Sequence, residues 1–149
     1  MSCIDVTLPL APAKIDKLLL VVAGVVWDAD GRVLLAQRPD GKIYPGWWEF
    51  LGGKIEQGET PEATLVRELD EELGLQTQVS CLYPLTFVSH SYPEFHVLLP
   101  IFSIRQWSGD LVGREGQRFA WVRPQELKNY QLLPTAEKMM PAIFDAGLK

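Results

Sequence analysis

Between Thr60 and Gly74 the apolar residues recur at helical spacing, with Leu65, Val66, Leu69 and Leu73 on one stripe. Thr60 suits an N-cap and Pro61 the first helical position, where its missing N–H costs nothing. Gly74 is placed to end the helix in a left-handed cap, with Leu75 folding back beyond it. Upstream, Lys17 to Asp28 is an apolar, β-branched run that predicts a buried strand. The turn residues Asp28 to Gly31 and the run Arg32 to Arg38 then predict a hairpin partner. A polar loop, Pro39 to Pro45, leads to the dense aromatics Trp47, Trp48 and Phe50, which suit core packing or base stacking. The two tryptophans are read as core.

Downstream, Val79 to His90 and Phe95 to Trp107 predict strands joined near Ser91 to Glu94, and Arg118 to Val122 a further short strand. Gly109 to Gln117 is a glycine-rich loop. Pro124 to Leu127 suits one helical turn. Pro134 to Ala146 predicts a terminal helix, with Met139, Met140, Ile143 and Phe144 as packing residues and Pro141 distorting its middle. No repeat or linker interrupts the pattern. It predicts an N-terminal arm over residues 1–16 and a single domain over 17–149, of α/β (α+β) class with a mixed sheet between helices.

At 149 residues, 47% apolar and 22% charged, the chain has the size and composition of one globular domain. The net charge of −5 argues against binding a nucleic acid polymer through a basic patch, but allows a small anionic substrate screened by metal ions. Cys3 and Cys81 form no CxxC motif and read as reduced thiols of a cytosolic protein. The longest apolar run, Leu18 to Trp27, is too short to span a bilayer, and no signal peptide is evident. The expected setting is therefore cytoplasmic, without a membrane partner. His90 and His96 lack metal-ligand spacing.

Candidate chemistry lies on the other face of the predicted helix. Glu68, Glu71 and Glu72 share that face, although Glu68 and Glu72 repel at i,i+4 by about 0.2–0.5 kcal/mol. Arg67 can pair with Glu71 but cannot neutralise all three. Such a cluster is either a solvated face or a set of oxygen ligands for a hard divalent cation. The surrounding spacing bears on that choice: Gly53, five residues, Glu59, seven residues, Arg67-Glu68-Leu69, any, Glu71-Glu72, any, Gly74-Leu75.

That series resembles the Nudix box at every fixed position. The resemblance implies an α/β/α sandwich with a mixed sheet between helices. It also implies a pyrophosphohydrolase using Mg²⁺, with Mn²⁺ as a substitute. Glu68, Glu71, Glu72 and the carbonyl of Gly52 are the implied metal ligands, and Glu59 and Arg67 the residues that orient loop and helix. Gly53 suits a close backbone approach and is grouped with the substrate-binding residues. Metal ions offset the charge of a pyrophosphate bridge and acidify water, and a carboxylate takes the proton.

Trp47 to Lys54 and Gly113 to Gln117 resemble the W-E-F-P-G-G-K and G-[KR]-E-G-Q segments of the MutT branch, which hydrolyses nucleoside triphosphates to monophosphates and pyrophosphate. By that resemblance Glu115 is a further metal ligand or base. Glu68, Glu71 and Glu115 are then the catalytic candidates, with Glu68 favoured as base and Glu115 its rival. Arg38, Glu49 and Phe50 match positions that meet the nucleotide. Leu51 replaces the branch's proline before the double glycine. Glu137 falls where an asparagine or aspartate reads the base edge, and an ionised carboxylate there only accepts hydrogen bonds. The expected substrate is 8-oxo-dGTP, with a CTP or modified-dCTP pyrophosphatase, or another nucleoside-diphosphate-X hydrolase, as the alternative. A non-catalytic binding module is the third reading, disfavoured because all box glutamates are present.

Overall fold

The computed structural model describes residues 14–148. Four strands form one mixed sheet in the order β4-β1-β6-β5, with β1 Leu18–Val26, β4 Leu51–Lys54, β5 Leu82–Ser91 and β6 His96–Ile104. β1 runs parallel to β6 and antiparallel to β4. β2 Val33–Gln37, β3 Trp48–Glu49 and β7 Phe119–Val122 form a second, antiparallel sheet in the order β3-β2-β7.

Alternation along β1 divides the core. Val22 and Val26 pack with Leu65, Leu69 and Leu73 of helix α1, Pro61–Leu73. Ala23, Val25 and Trp27 pack instead with Met139 and Ile143 of the C-terminal segment. Burying both faces of one strand in this way produces the near-continuous apolar run seen in its sequence. The mixed sheet thus lies between helices, as expected. No helix among the described residues is long and apolar enough to cross a membrane.

Several boundaries differ from expectation. β1 and β2 do not form a hairpin: they share one isolated bridge, Trp27 to Val33, and enter different sheets. The flanks of β1 are taken by β4 and β6, leaving β2 to pair with β3 and β7. The terminal helix is two helices, α2 Pro134–Glu137 and α3 Met140–Gly147. The break falls at Lys138 and Met139, so Pro141 starts α3 rather than kinking a longer helix. Met139 and Ile143 are buried as expected, but Phe144 is 39% exposed. Val79–Cys81 forms a 3₁₀ turn before β5, with Val79 facing solvent, and Pro124–Asn129 forms another. Trp47 and Trp48 are half-buried against the core, Trp48 meeting Tyr130 edge-on at 5.2 Å. Cys81 is a free thiol. Cys3 and residues 1–13 of the expected arm lie outside the described residues.

Candidate active site: a carboxylate ridge beside a glycine loop

The local chemistry of α1 fixes where its acidic face points. Thr60 Oγ1 accepts a hydrogen bond from the Ala63 N–H at 3.1 Å, and Gly74 closes the helix at φ 71°. Leu75 folds back to complete burial of the apolar stripe, its N–H bonded to the Leu69 carbonyl at 3.2 Å. Arg67 then ties helix to loop. Its Nε and Nη2 each donate to Glu59 at 2.9 Å, and Thr64 Oγ1 donates to the same carboxylate at 3.1 Å. The Arg67 hydrogen bonds hold Glu59 down at about 2, against the partial burial that works the other way. Arg67 Nη1 also reaches Glu71 at 3.1 Å and Glu68 at 3.3 Å.

Glu68 and Glu72 project beside the loop at Gly52–Gly53. A β-carbon on Gly53 would lie 2.6 Å from the Glu68 Cδ, and one on Gly52 would collide with the Val22 carbonyl of β1. Only glycines allow this approach. Glu72 is half-buried, and its carboxyl is pushed up to about 9. Burial is the largest cause; a hydrogen bond donated to Glu68 follows, then the charges of Glu68, Glu115 and Glu49.

Two adjoining cavities form one cleft. The first, about 290 Å³, is lined by Gly52, Gly53, Glu72, Glu49, Phe50 and Arg38 among others. The second, about 430 Å³, is lined by Tyr44, Tyr92, Phe95 and several aliphatic side chains. Arg38, Glu49 and Thr135 line both. Arg38 Nη1 pairs with Glu49 at 2.7 Å. Thr135 donates to the Tyr92 phenol oxygen, whose ionisation burial opposes. Polar chemistry therefore sits at one end and aromatic surface at the other.

The expected residues divide accordingly. Glu68, Glu72, Gly52, Gly53, Glu49, Phe50 and Arg38 come together, and Glu59 and Arg67 brace them. Glu71 is exposed and engaged by Arg67. Glu115 is also exposed, 3.8 Å from Lys42 Nζ, although its charge reaches Glu72. Glu137 stands outside the cleft and lines a separate cavity with Lys128, Tyr130 and Met140. The single turn of α2 turns Thr135 toward the cleft and leaves Glu137 on another side. Thr135, Tyr44 and Lys42 also line the cleft, and nothing local in sequence distinguishes them from loop residues. Tyr92, Pro93, Glu94 and Phe95 line the aromatic cavity. His96 is held between Ser89 and Ser91, at 2.6 Å from each, and His90 packs edge-on against Tyr92.

Among the described residues no three acidic, histidine or cysteine side chains form a ready-made metal cage. The donor set nevertheless fits a hard divalent cation. It consists of oxygens alone, and Glu72 is crowded by carboxylates that only bound protons or a cation can relieve.

Comparison with known proteins agrees with this geometry. An 8-oxo-dGTP diphosphatase of Proteus vulgaris is 41% identical over 100 residues, covering 67% of this chain and 88% of its own. A CTP pyrophosphohydrolase of Escherichia coli is 35% identical over 129 residues, covering 85% and 91%. The solution structure of the E. coli ORF135 protein superposes with a TM-score of 0.75 at 32% identity, covering 87% of this chain and 90% of that one. The sequence matches the NUDIX domain family over residues 17–143, and with the box helix and its glycine loop folded as described, the chain belongs to the Nudix family of hydrolases.

Proposed function

We propose that this chain uses Mg²⁺, with Mn²⁺ as a substitute, to hydrolyse nucleoside triphosphates to the monophosphate and pyrophosphate, with 8-oxo-dGTP as its preferred substrate. One observation carries this reading: Glu68 and Glu72 are crowded beside the Gly52–Gly53 loop, at the polar end of a cleft whose other end is aromatic. Similarity to 8-oxo-dGTP diphosphatases supports it.

Glu68, Glu72 and the Gly52 carbonyl would hold the cation, with Glu71 and Glu115 completing its oxygen shell. When bound, the cation supplies neutralisation of phosphate charge and acidification of water. Arg38 binds the phosphates from the point where the cavities meet. Glu68 takes the proton of the attacking water, with Glu115 as the rival base. Glu49 orients Arg38 through their ion pair.

A cytosine nucleotide is the second reading. The aromatic cavity offers Thr135, Glu94 and two tyrosines, but no asparagine or glutamine among its lining residues, so an amide reader for oxidised guanine is missing there. Similarity to a CTP pyrophosphohydrolase points the same way.

Pyrophosphate release with magnesium across a nucleotide panel tests both. Turnover of 8-oxo-dGTP supports the first reading and turnover of CTP alone the second. Silence on every nucleotide contradicts both. Glu68→Gln and Glu115→Gln, assayed at saturating magnesium, separate the bases: the true base still loses turnover on the order of 10²-fold or more. Wild-type turnover in both variants removes both candidates.

A further inference from the structure

The loop that follows β2 carries a strained tyrosine at the aromatic cavity. Tyr44 has φ 56°, the only positive value at a non-glycine position among the described residues. Left-handed backbone is unfavourable for a residue with a β-carbon. Pro45 follows, and a residue before proline prefers extended backbone, so the conformation is opposed twice.

Neighbouring contacts hold it in place. Arg38 Nε donates to the Ile43 carbonyl at 2.6 Å. The Trp47 N–H donates to the Tyr44 carbonyl at 3.2 Å across Pro45 and Gly46. Gly46, at φ 83°, gives this the arrangement of a type II turn. The Arg38 N–H and carbonyl then bond to Trp47 at 2.8 Å and Gly46 at 2.9 Å, closing the base of the loop. Asparagine or glycine would fit the backbone at position 44 better. What tyrosine adds is a ring, 5.1 Å from Trp47 and 6.3 Å from Tyr92, on the wall of the 430 Å³ cavity. Strain maintained at a cleft points to use of the side chain it aims.

We infer that Tyr44 sets the enzyme's affinity for the nucleobase, its ring stacking on the base of the bound nucleotide. This rests on the proposed nucleotide substrate and adds a residue to it. Stacking area favours purines, so the contribution is larger for purine than for pyrimidine nucleotides.

The test compares wild type, Tyr44→Asn and Tyr44→Phe. Asparagine accepts left-handed backbone but lacks the ring, whereas phenylalanine keeps the ring and the strain. Thermal melting, KM and kcat over a nucleoside triphosphate panel, and calorimetric binding of nucleoside monophosphates are measured. Tyr44→Asn is expected to melt no lower than wild type, while its KM for purine triphosphates rises roughly tenfold. Its kcat falls by less than KM rises, monophosphate binding weakens in step, and Tyr44→Phe behaves as wild type. Wild-type KM and monophosphate affinity in Tyr44→Asn overturn the inference while leaving the hydrolase reading intact. So does a lower melting temperature with kcat and KM equally impaired, which would make the ring structural. A wild-type chain that neither hydrolyses nor binds any nucleotide overturns the hydrolase reading and this inference with it.

Discussion

A β-carbon on Gly53 would stand 2.6 Å from Cδ and 2.7 Å from Oε1 of Glu68, both at the far end of a flexible side chain. Gly53→Ala should therefore displace the Glu68 carboxyl without unfolding the protein. Turnover is expected to fall about 10²-fold, the scale of an ångström's misplacement of a reacting group, with little change in melting temperature. Steady-state kinetics paired with a thermal melt checks this; full activity would place Glu68 outside the chemistry. Residues of this kind were legible from sequence because their partners lie within the box, and spacing on one helix and its loop decides their geometry. Glu137 was not. About half a helical turn separates it from Thr135, and which of the two faces the cleft depends on how α2 packs against the sheet. Tyr44 and Lys42 reach the cavities on the loop after β2, where nothing in the residue types marks them as cleft residues.

At the scale of elements, α1 is held to its loop through Arg67 and Glu59. Arg67 keeps the folded-state Glu59 near 2, below its ordinary value of 4.5. The unfolded chain therefore takes up this proton first as pH falls. The contribution to stability is complete above pH 4.5 and is lost as pH drops toward 2. Glu59→Gln should lower the melting temperature by a few degrees at neutral pH and flatten the acid limb of a stability–pH curve. An unchanged acid limb would show that the pair does not clamp the helix. The ends of α1 were readable because Thr60, Pro61 and Gly74 act locally. The hairpin expectation failed because a turn at Asp28 to Gly31 fixes chain reversal but not the choice of strand partner, and β6 competes for β1 from far along the sequence. Proline distorts a helix interior but serves equally well to begin a helix, and α3 starts beside Pro141.

For the whole molecule, two apolar clusters lie on opposite faces of one mixed sheet, and Phe50, Leu99, Leu133 and Met139 of one of them line the cleft. Leu69 is fully buried in the cluster beneath α1 and lies next to Glu68 in sequence. Leu69→Ala should cost about 2–5 kcal/mol in urea unfolding. Retention of wild-type stability would mean that α1 is not anchored as described. A mixed sheet between helices was legible from the order of the elements, strands with one helix early and helical residues at the end. The division into two sheets was not, since strand partnership is a property of the assembled fold. Under the proposed function, a chain of net charge −5 takes up a polyanion with the help of a cation in the carboxylate ridge. Calorimetric titration of Mg²⁺ into wild type and Glu72→Gln, with and without nucleotide, measures that directly. Uptake by wild type, weakened at least about tenfold in the variant, is the predicted result; no uptake by wild type under either condition would contradict it.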